Sequence, residues 1–140
     1  MQDVERKPSA TTLKVIHLAF MAATVVYVAV GYVAVPTVVP PAASHLITVA
    51  LSVAAVAAIA AGYLVPRAYW RQVADGRVPG TEPGTLAAYQ TGMIITWASF
   101  ESVAVIGLVL AMITGTWLTA LAGSVVALAF LASARPQPPR

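Results

Sequence analysis

The residue of this sequence that is best placed to do chemistry is Glu101, a carboxylic acid inside a long apolar stretch. If the chain enters lipid near Thr91, Glu101 lies about 10 residues, or roughly 15 Å, further along a helix, close to the bilayer midplane. Hydrocarbon disfavours the charged form of a carboxyl group. A group that is neutral in lipid and ionises on meeting water or a cation suits the transfer of a proton or a sodium ion. Glu101 is therefore the ion-binding candidate.

Several polar side chains are expected at a similar depth and are candidate hydrogen-bond partners for this carboxyl group. They are Ser102 on the same run and Thr24, Tyr27, Ser52 and Ser124 on the other runs. Trp97 is a further candidate because it precedes Glu101 by one helical turn. The sequence does not choose among them. It also leaves open a structural role, in which a protonated Glu101 holds two helices together without moving an ion.

No other group of residues predicts a catalytic, metal or cofactor site. The chain has no Cys, and it contains no Ser-His-Asp set, His-Glu-x-x-His pattern or phosphate-binding Gly-Lys-Ser/Thr loop. His17 and His45 fall at opposite ends of one apolar run, so they cannot jointly bind a haem or metal, and each is interpreted as an interfacial histidine. We predict no metal and no cofactor, and the sequence favours a protein that is not an enzyme.

The composition determines which elements can hold these residues. Of 140 residues, 59% are hydrophobic and 9% are charged, whereas a soluble domain carries about 25% charged residues. Such a chain has too little polar surface for a soluble globule, and its hydrophobicity excludes disorder. The composition predicts an integral membrane protein whose first partner is the lipid bilayer.

Four apolar runs are long enough to cross a hydrocarbon core. They cover about residues 15–35, 46–65, 88–113 and 115–134 and leave 1–14 as an N-terminal segment and 135–140 as a Pro-rich tail. Runs of this length without alternation predict helices, because an open sheet would leave unpaired backbone groups in lipid. The predicted fold is all-α, a polytopic four-helix transmembrane bundle.

Prolines and glycines mark the connections between these runs, since proline interrupts helices. Pro36, Pro40 and Pro41 mark the first connection, and the stretch from Pro66 to Pro83 marks a longer second one. Gly115, with a threonine on either side, predicts a very tight turn between the third and fourth runs.

The basic residues predict how the bundle is oriented. All eight precede the first run, follow the fourth or lie in the 66–85 loop: Arg6, Lys7, Lys14, Arg67, Arg71, Arg77, Arg135 and Arg140. The positive-inside rule assigns that side to the cytoplasm, so both termini and the 66–85 loop are predicted to be cytoplasmic in a multi-pass cell-membrane protein. These charges are too few and too scattered for nucleic-acid binding, but they suit weak attraction to anionic lipid headgroups.

Small residues predict close helix packing. The second run is alanine-rich from Ala54 to Gly62, so we expect it to pack against more than one neighbour. In the fourth run Thr119, Gly123 and Ala127 recur every four residues. Both patterns suit a tight bundle, a homo-oligomer or both, and packing within one chain is an equally good interpretation.

The segment from Glu101 to Ile113 resembles the carboxylate-bearing helix of rotary ATPase proteolipids, the subunit c family, with its Glu, apolar residues and Gly107-Leu108-Val109 step. The resemblance implies that Glu101 carries the ion. It also implies a hairpin of the second and third runs with a cytoplasmic loop, in a four-span, V-type-like arrangement. The chain departs from the family in replacing a glycine-repeat helix by alanines, in its longer polar loop, and in placing both termini inside.

Two functional hypotheses follow, and they belong to different classes. The first is a proteolipid-like protein in which Glu101 binds or transfers a proton or sodium ion, within an oligomer. The second is a non-catalytic accessory or scaffold subunit of a larger membrane complex. A small dimeric exporter ranks lower, because in the four-span exporters that this chain resembles in length the membrane Glu lies in the first span.

Overall fold

The computed structural model describes residues 10–37, 45–74 and 82–136. These residues form four α-helices, α1 (Ala10–Ala34), α2 (His45–Ala74), α3 (Glu82–Thr114) and α4 (Trp117–Ser133), and a short 3-10 helix, Val35–Thr37, that continues α1. This part of the chain contains no strand, so the predicted all-α fold is confirmed. The predicted connection at Pro40 and Pro41, most of the predicted N-terminal segment, residues 75–81 and the end of the tail lie outside the described residues.

Three segments are long and apolar enough to cross a membrane: Thr11–Thr37, His45–Ala68 and Tyr89–Thr114. α4 is also apolar, but it has 17 helical residues where a span was predicted over 115–134. At 1.5 Å per residue it is roughly 26 Å long, which is short of the ~30 Å of a typical hydrocarbon core. The helices thus support a membrane protein, with α4 as the shortest member of the bundle.

One predicted boundary is wrong, because α2 continues through Pro66 to Ala74. Pro66 has no N–H to donate to the carbonyl oxygen of Gly62, one helical turn earlier. The Thr96 hydroxyl of α3 lies 2.9 Å from the oxygen of Gly92 on its own helix and 3.3 Å from that of Gly62, so its single hydrogen is shared between the two carbonyls and reaches the Gly62 oxygen over the longer distance. A neighbouring hydroxyl that satisfies the freed carbonyl allows a membrane helix to tolerate proline.

Packing shows that successive helices run in opposite directions. Leu13 near the start of α1 packs with Trp97 of α3 and with Leu131 near the end of α4. Val35, at the other end, packs with Ala111 and Ala120. The start of α1, the end of α2, the start of α3 and the end of α4 therefore share one end of the bundle.

α3 is the central helix, and it packs against each of the other three. Its side chains Trp97, Phe100 and Ala104 are fully buried. α2 packs mainly against α3, and Tyr63 also reaches the ring of Phe130 on α4. The alanine-rich helix was expected to pack against more than one neighbour, and it contacts α3 and, through Tyr63, α4, while one side of it, including Ala54, remains exposed.

α3 and α4 pack closely where Gly107 faces Gly123. A Cβ added at Gly107 would lie 3.0 Å from the Cα of Gly123, and one added at Gly123 would lie 2.9 Å from the Cα of Gly107. The small-residue face predicted on the fourth run therefore packs within the chain. The turn between the two helices is short because Gly115 adopts φ 68°, which glycine reaches without steric penalty.

Candidate functional site

Glu101 lies at the middle of α3. It is 12 residues from Tyr89 and 13 from Thr114, the two ends of the membrane-spanning segment (101 − 89 and 114 − 101). Either distance is about 18–20 Å along a helix, so the residue falls near the midplane of a bilayer that this segment spans. The side chain is half-buried and lies between buried Trp97 and Ala104 on one side and exposed Ala98 and Val105 on the other. Glu101 is therefore at the rim of the bundle.

The partner of this carboxyl group is Tyr27 of α1. The Tyr27 hydroxyl donates a hydrogen bond to Oε1 of Glu101 over 2.8 Å. The two residues are 74 positions apart in the chain, so the bond joins α1 to α3 near the middle of their two apolar segments. Among the supporting residues suggested by the sequence, Tyr27 is the one that the structure brings to Glu101.

The serine and threonine candidates bond elsewhere. The hydroxyls of Thr24, Ser52 and Ser102 each donate to the carbonyl four residues earlier in their own helix, on Phe20, Thr48 and Ala98, over 2.8 to 2.9 Å. Short hydroxyl side chains reach this carbonyl readily. A tyrosine hydroxyl stands at the far end of a rigid ring and cannot, so it bonds to another helix.

Ser124 behaves differently from the other hydroxyl residues. Its side chain is fully buried on α4, and its oxygen has no hydrogen-bond partner within the described part of the chain. A buried hydroxyl without a partner costs about 1–3 kcal/mol. Ser124 is thus not joined to Glu101 by a direct hydrogen bond.

His17 of α1 and Trp97 of α3 both bond to the end of α4. The His17 ring nitrogen Nε2 lies 2.9 Å from the carbonyl oxygen of Leu131, and the Trp97 indole N–H donates to that of Ala134 over 2.8 Å. A carbonyl oxygen only accepts, so Nε2 of His17 carries the hydrogen. The last carbonyls of a helix lack partners within it, and here α1 and α3 supply them.

His17 is buried and its ring is hydrogen-bonded, with the ring centroid 4.9 Å from that of Trp97. Trp97 is committed to α4 and does not bond Glu101. The exposed His45, at the start of α2, is at the opposite end of the bundle from His17. The described residues contain no cluster of three or more His, Asp or Glu side chains that could hold a metal ion.

Glu101 and Tyr27 bring three oxygen atoms together. The hydrogen-bonded pair offers the two carboxyl oxygens and the Tyr27 hydroxyl. A sodium ion needs several oxygen ligands to replace its hydration shell, whereas a proton needs only the carboxyl group. The arrangement can hold a proton on Glu101 or a negative charge that accepts the Tyr27 hydrogen bond.

Comparison of the chain with family models, curated proteins and solved structures gives no significant match. The resemblance of the Glu101 segment to rotary ATPase proteolipids therefore stays a prediction.

Proposed function

We propose that this membrane protein binds and releases a proton at Glu101, as the ion-carrying subunit of a proteolipid-like oligomer. The observation that carries the proposal is the 2.8 Å bond from the Tyr27 hydroxyl to a carboxyl oxygen at the middle of a membrane-spanning helix. A titratable group at that depth is costly to insert, by about 2.5 kcal/mol or more, which favours a functional role.

The Tyr27 hydroxyl suits a carboxyl group that changes its charge. It donates to the carboxylate when the proton is absent, and after protonation the Glu101 O–H can in turn donate to the tyrosine oxygen. Because Glu101 is half-buried at the rim of α3, a group on an adjacent subunit can reach it from outside the bundle. We therefore place the proton exchange at a contact between subunits.

The architecture supports the proteolipid comparison in one further respect. α2 and α3 run antiparallel and pack along much of their length, and the acid lies on the second helix of this pair. Lys14, Arg67, Arg71 and Arg135 all lie at the end of the bundle where α2 ends. By the positive-inside rule this end is cytoplasmic in a cell membrane, and the connection between α2 and α3 is on that side.

Glu101→Gln tests the proposal. A hydrophobic carbodiimide, which attacks protonated carboxyl groups in lipid, should label the wild-type chain in liposomes but not this variant, and labelling should fall as pH rises. Glu82→Gln removes an acid outside the spanning segment and should label like wild type. Mass measurement of the intact chain gives the result. An unlabelled wild-type chain, or labelling that persists without Glu101, overturns the proposal.

The same variant separates ion binding from a structural clamp. The amide oxygen of the introduced glutamine still accepts the Tyr27 hydrogen bond, so thermal stability should be nearly unchanged while proton flux through the reconstituted oligomer is lost. If flux is also unchanged, the second hypothesis is favoured, a non-catalytic accessory or scaffold subunit. The exposed side of α2, where Ala54 and Ala57 lie beside Val53 and Val56, supports that alternative, because it leaves an apolar helix face open to a partner helix. Gentle extraction and mass measurement would then reveal bound partner subunits.

A further inference from the structure

We propose that Lys14 and Arg135 form a binding site for the headgroup of an anionic phospholipid. The site lies at the end of the bundle where α1 begins and α4 ends, far from Glu101, and the proposal does not depend on proton binding there. From the sequence, both residues indicated topology and, together with the other basic residues, a weak attraction to anionic lipid headgroups, but no defined site.

The two basic residues line a cavity of about 370 Å³. Its wall includes His17, Leu18 and Met21 of α1, while Ala132 and Pro136 contribute from the end of α4 and the residues after it. The volume lies within the range of small-molecule sites, about 300–1,000 Å³. No acidic side chain is among these described lining residues, so the cavity is suited to an anion.

The frame around the cavity is fixed by hydrogen bonds. The buried His17 holds α1 to α4 through its bond to the Leu131 oxygen, over 2.9 Å. Arg135 donates from Nε to the oxygen of Ala132 over 3.2 Å, which anchors its guanidinium group beside the helix end. That bond uses one of the five N–H groups of arginine, and the terminal nitrogens carry the other four, which match the oxygens of a phosphate.

The position of the charges favours a lipid as the source of the phosphate. Lys14 lies three residues beyond Thr11, where the apolar segment begins, so its ammonium group can extend to the headgroup layer. Leu18, one helical turn deeper, is 63% exposed, and Met21 continues the apolar wall toward the membrane interior. An acyl chain can pack on these side chains below a bound headgroup, whereas free phosphate makes no use of them. Basic pockets between membrane helices are known to bind such headgroups.

Native mass spectrometry of the full chain in detergent tests the site, with phosphatidylglycerol and phosphatidylcholine of identical acyl chains as probes. We expect wild-type protein to retain phosphatidylglycerol in preference, and each of Lys14→Gln and Arg135→Gln to weaken retention about fivefold, since each removes one basic charge near the surface. The matched control is Arg67→Gln with Arg71→Gln, which removes two basic residues from the same end of the bundle outside the cavity. This control should retain the lipid as wild type does.

A charge-conserving variant and a competition with phosphate test whether the site binds a lipid headgroup. Lys14→Arg with Arg135→Lys keeps both charges and should preserve binding, and circular dichroism checks that every variant is helical. Inorganic phosphate at millimolar concentration should not displace the lipid. Displacement by phosphate would assign the site to the free anion and overturn the lipid proposal. Equal retention of both lipids, or equal losses in the cavity and control variants, would also overturn it.

Discussion

At the scale of single residues, the hydrogen bond between Tyr27 and Glu101 decides how the central carboxyl group is held. Depth in the membrane identified both residues, but depth alone also suggested Thr24, Ser52, Ser102 and Ser124. The choice follows from side-chain length, because the hydroxyls of three of these candidates bond within their own helices while the Tyr27 hydroxyl reaches α3. The bond therefore contributes both to the site and to the joining of α1 and α3.

A double-mutant cycle measures this bond. We expect Tyr27→Phe and Glu101→Leu to show a coupling free energy of about 0.6 kcal/mol, and at most about 1.7 kcal/mol, as for other hydrogen bonds within membranes. The two single variants and the double variant are compared with wild type by reversible unfolding in mixed micelles. Tyr32→Phe is the control, because Tyr32 is exposed and its ring packs perpendicular to that of Trp117. A coupling free energy indistinguishable from zero would contradict the bond.

At the scale of elements, contacts between glycines set the distance between α3 and α4. Hydrogen bonds from neighbouring helices hold the end of α4 and reach α2 at its proline. Gly107 and Gly123 allow backbone contact near the middle. His17 and Trp97 supply donors to the carbonyls at the end of α4. The Thr96 hydroxyl of α3 lies 3.3 Å from the Gly62 oxygen of α2, to which Pro66 cannot donate. Carbonyl groups of α2 and at the end of α4 thus accept hydrogen bonds from neighbouring helices.

Gly107→Ala should destabilise the bundle. The new methyl group would lie 3.0 Å from both the Cα of Gly123 and the oxygen of Thr119, which are backbone atoms and cannot yield as a flexible side chain does. Overpacking of this kind costs about 1–3 kcal/mol. The free energy of unfolding in micelles, followed by loss of helical circular dichroism, gives the measurement.

Gly92→Ala is the matched control on the same helix. Gly92 is also buried, but its added methyl group would meet only the Cβ of Pro66, at the ordinary contact distance of 3.9 Å. Alanine favours a helix over glycine by up to about 1 kcal/mol, so this variant should be neutral or slightly stabilised. Similar losses of stability in the two variants would mean that the close approach of α3 and α4 is not what constrains Gly107.

At the scale of the whole molecule, alternation of helix direction collects the basic residues at one end. Lys14, Arg67, Arg71 and Arg135 come from the start of α1, the later part of α2 and the residue that follows Ala134. The opposite end carries no Lys or Arg among the described residues, and there the ring centroids of Tyr32 and Trp117 lie 5.6 Å apart. By the positive-inside rule, this uneven distribution of basic residues predicts the orientation of the bundle in the membrane.

The orientation can be measured with single cysteines, because the chain has none of its own. Ala68→Cys marks the basic end and Thr116→Cys marks the opposite turn, and both positions are exposed. In intact cells a membrane-impermeant maleimide should label Thr116→Cys, and it should reach Ala68→Cys only after permeabilisation. The reverse pattern would place the basic end outside and refute the proposed orientation.

The sequence by itself determined that this protein is a bundle of apolar helices. Backbone groups in hydrocarbon must bond within their own segment, so the length of an apolar run and its lack of alternation are enough to specify a helix. Gly115 likewise located the turn between α3 and α4, because its left-handed φ is a local property. The same local information made Glu101 stand out, since it is an acid within an apolar run.

Only the tertiary structure decided which side chains meet. Membrane helices built mainly from alanine, valine and leucine present similar faces on every side, so hydropathy does not reveal which face meets which neighbour. Packing between helices determines that Tyr27 bonds Glu101 and that Trp97 bonds the end of α4. It also leaves one side of α2 exposed and allows α2 to continue past Pro66. It also brought Lys14 and Arg135, near opposite ends of the chain, to the wall of one cavity. Contacts of this kind depend on helix rotation and neighbour order, which arise from packing between helices rather than from any one segment.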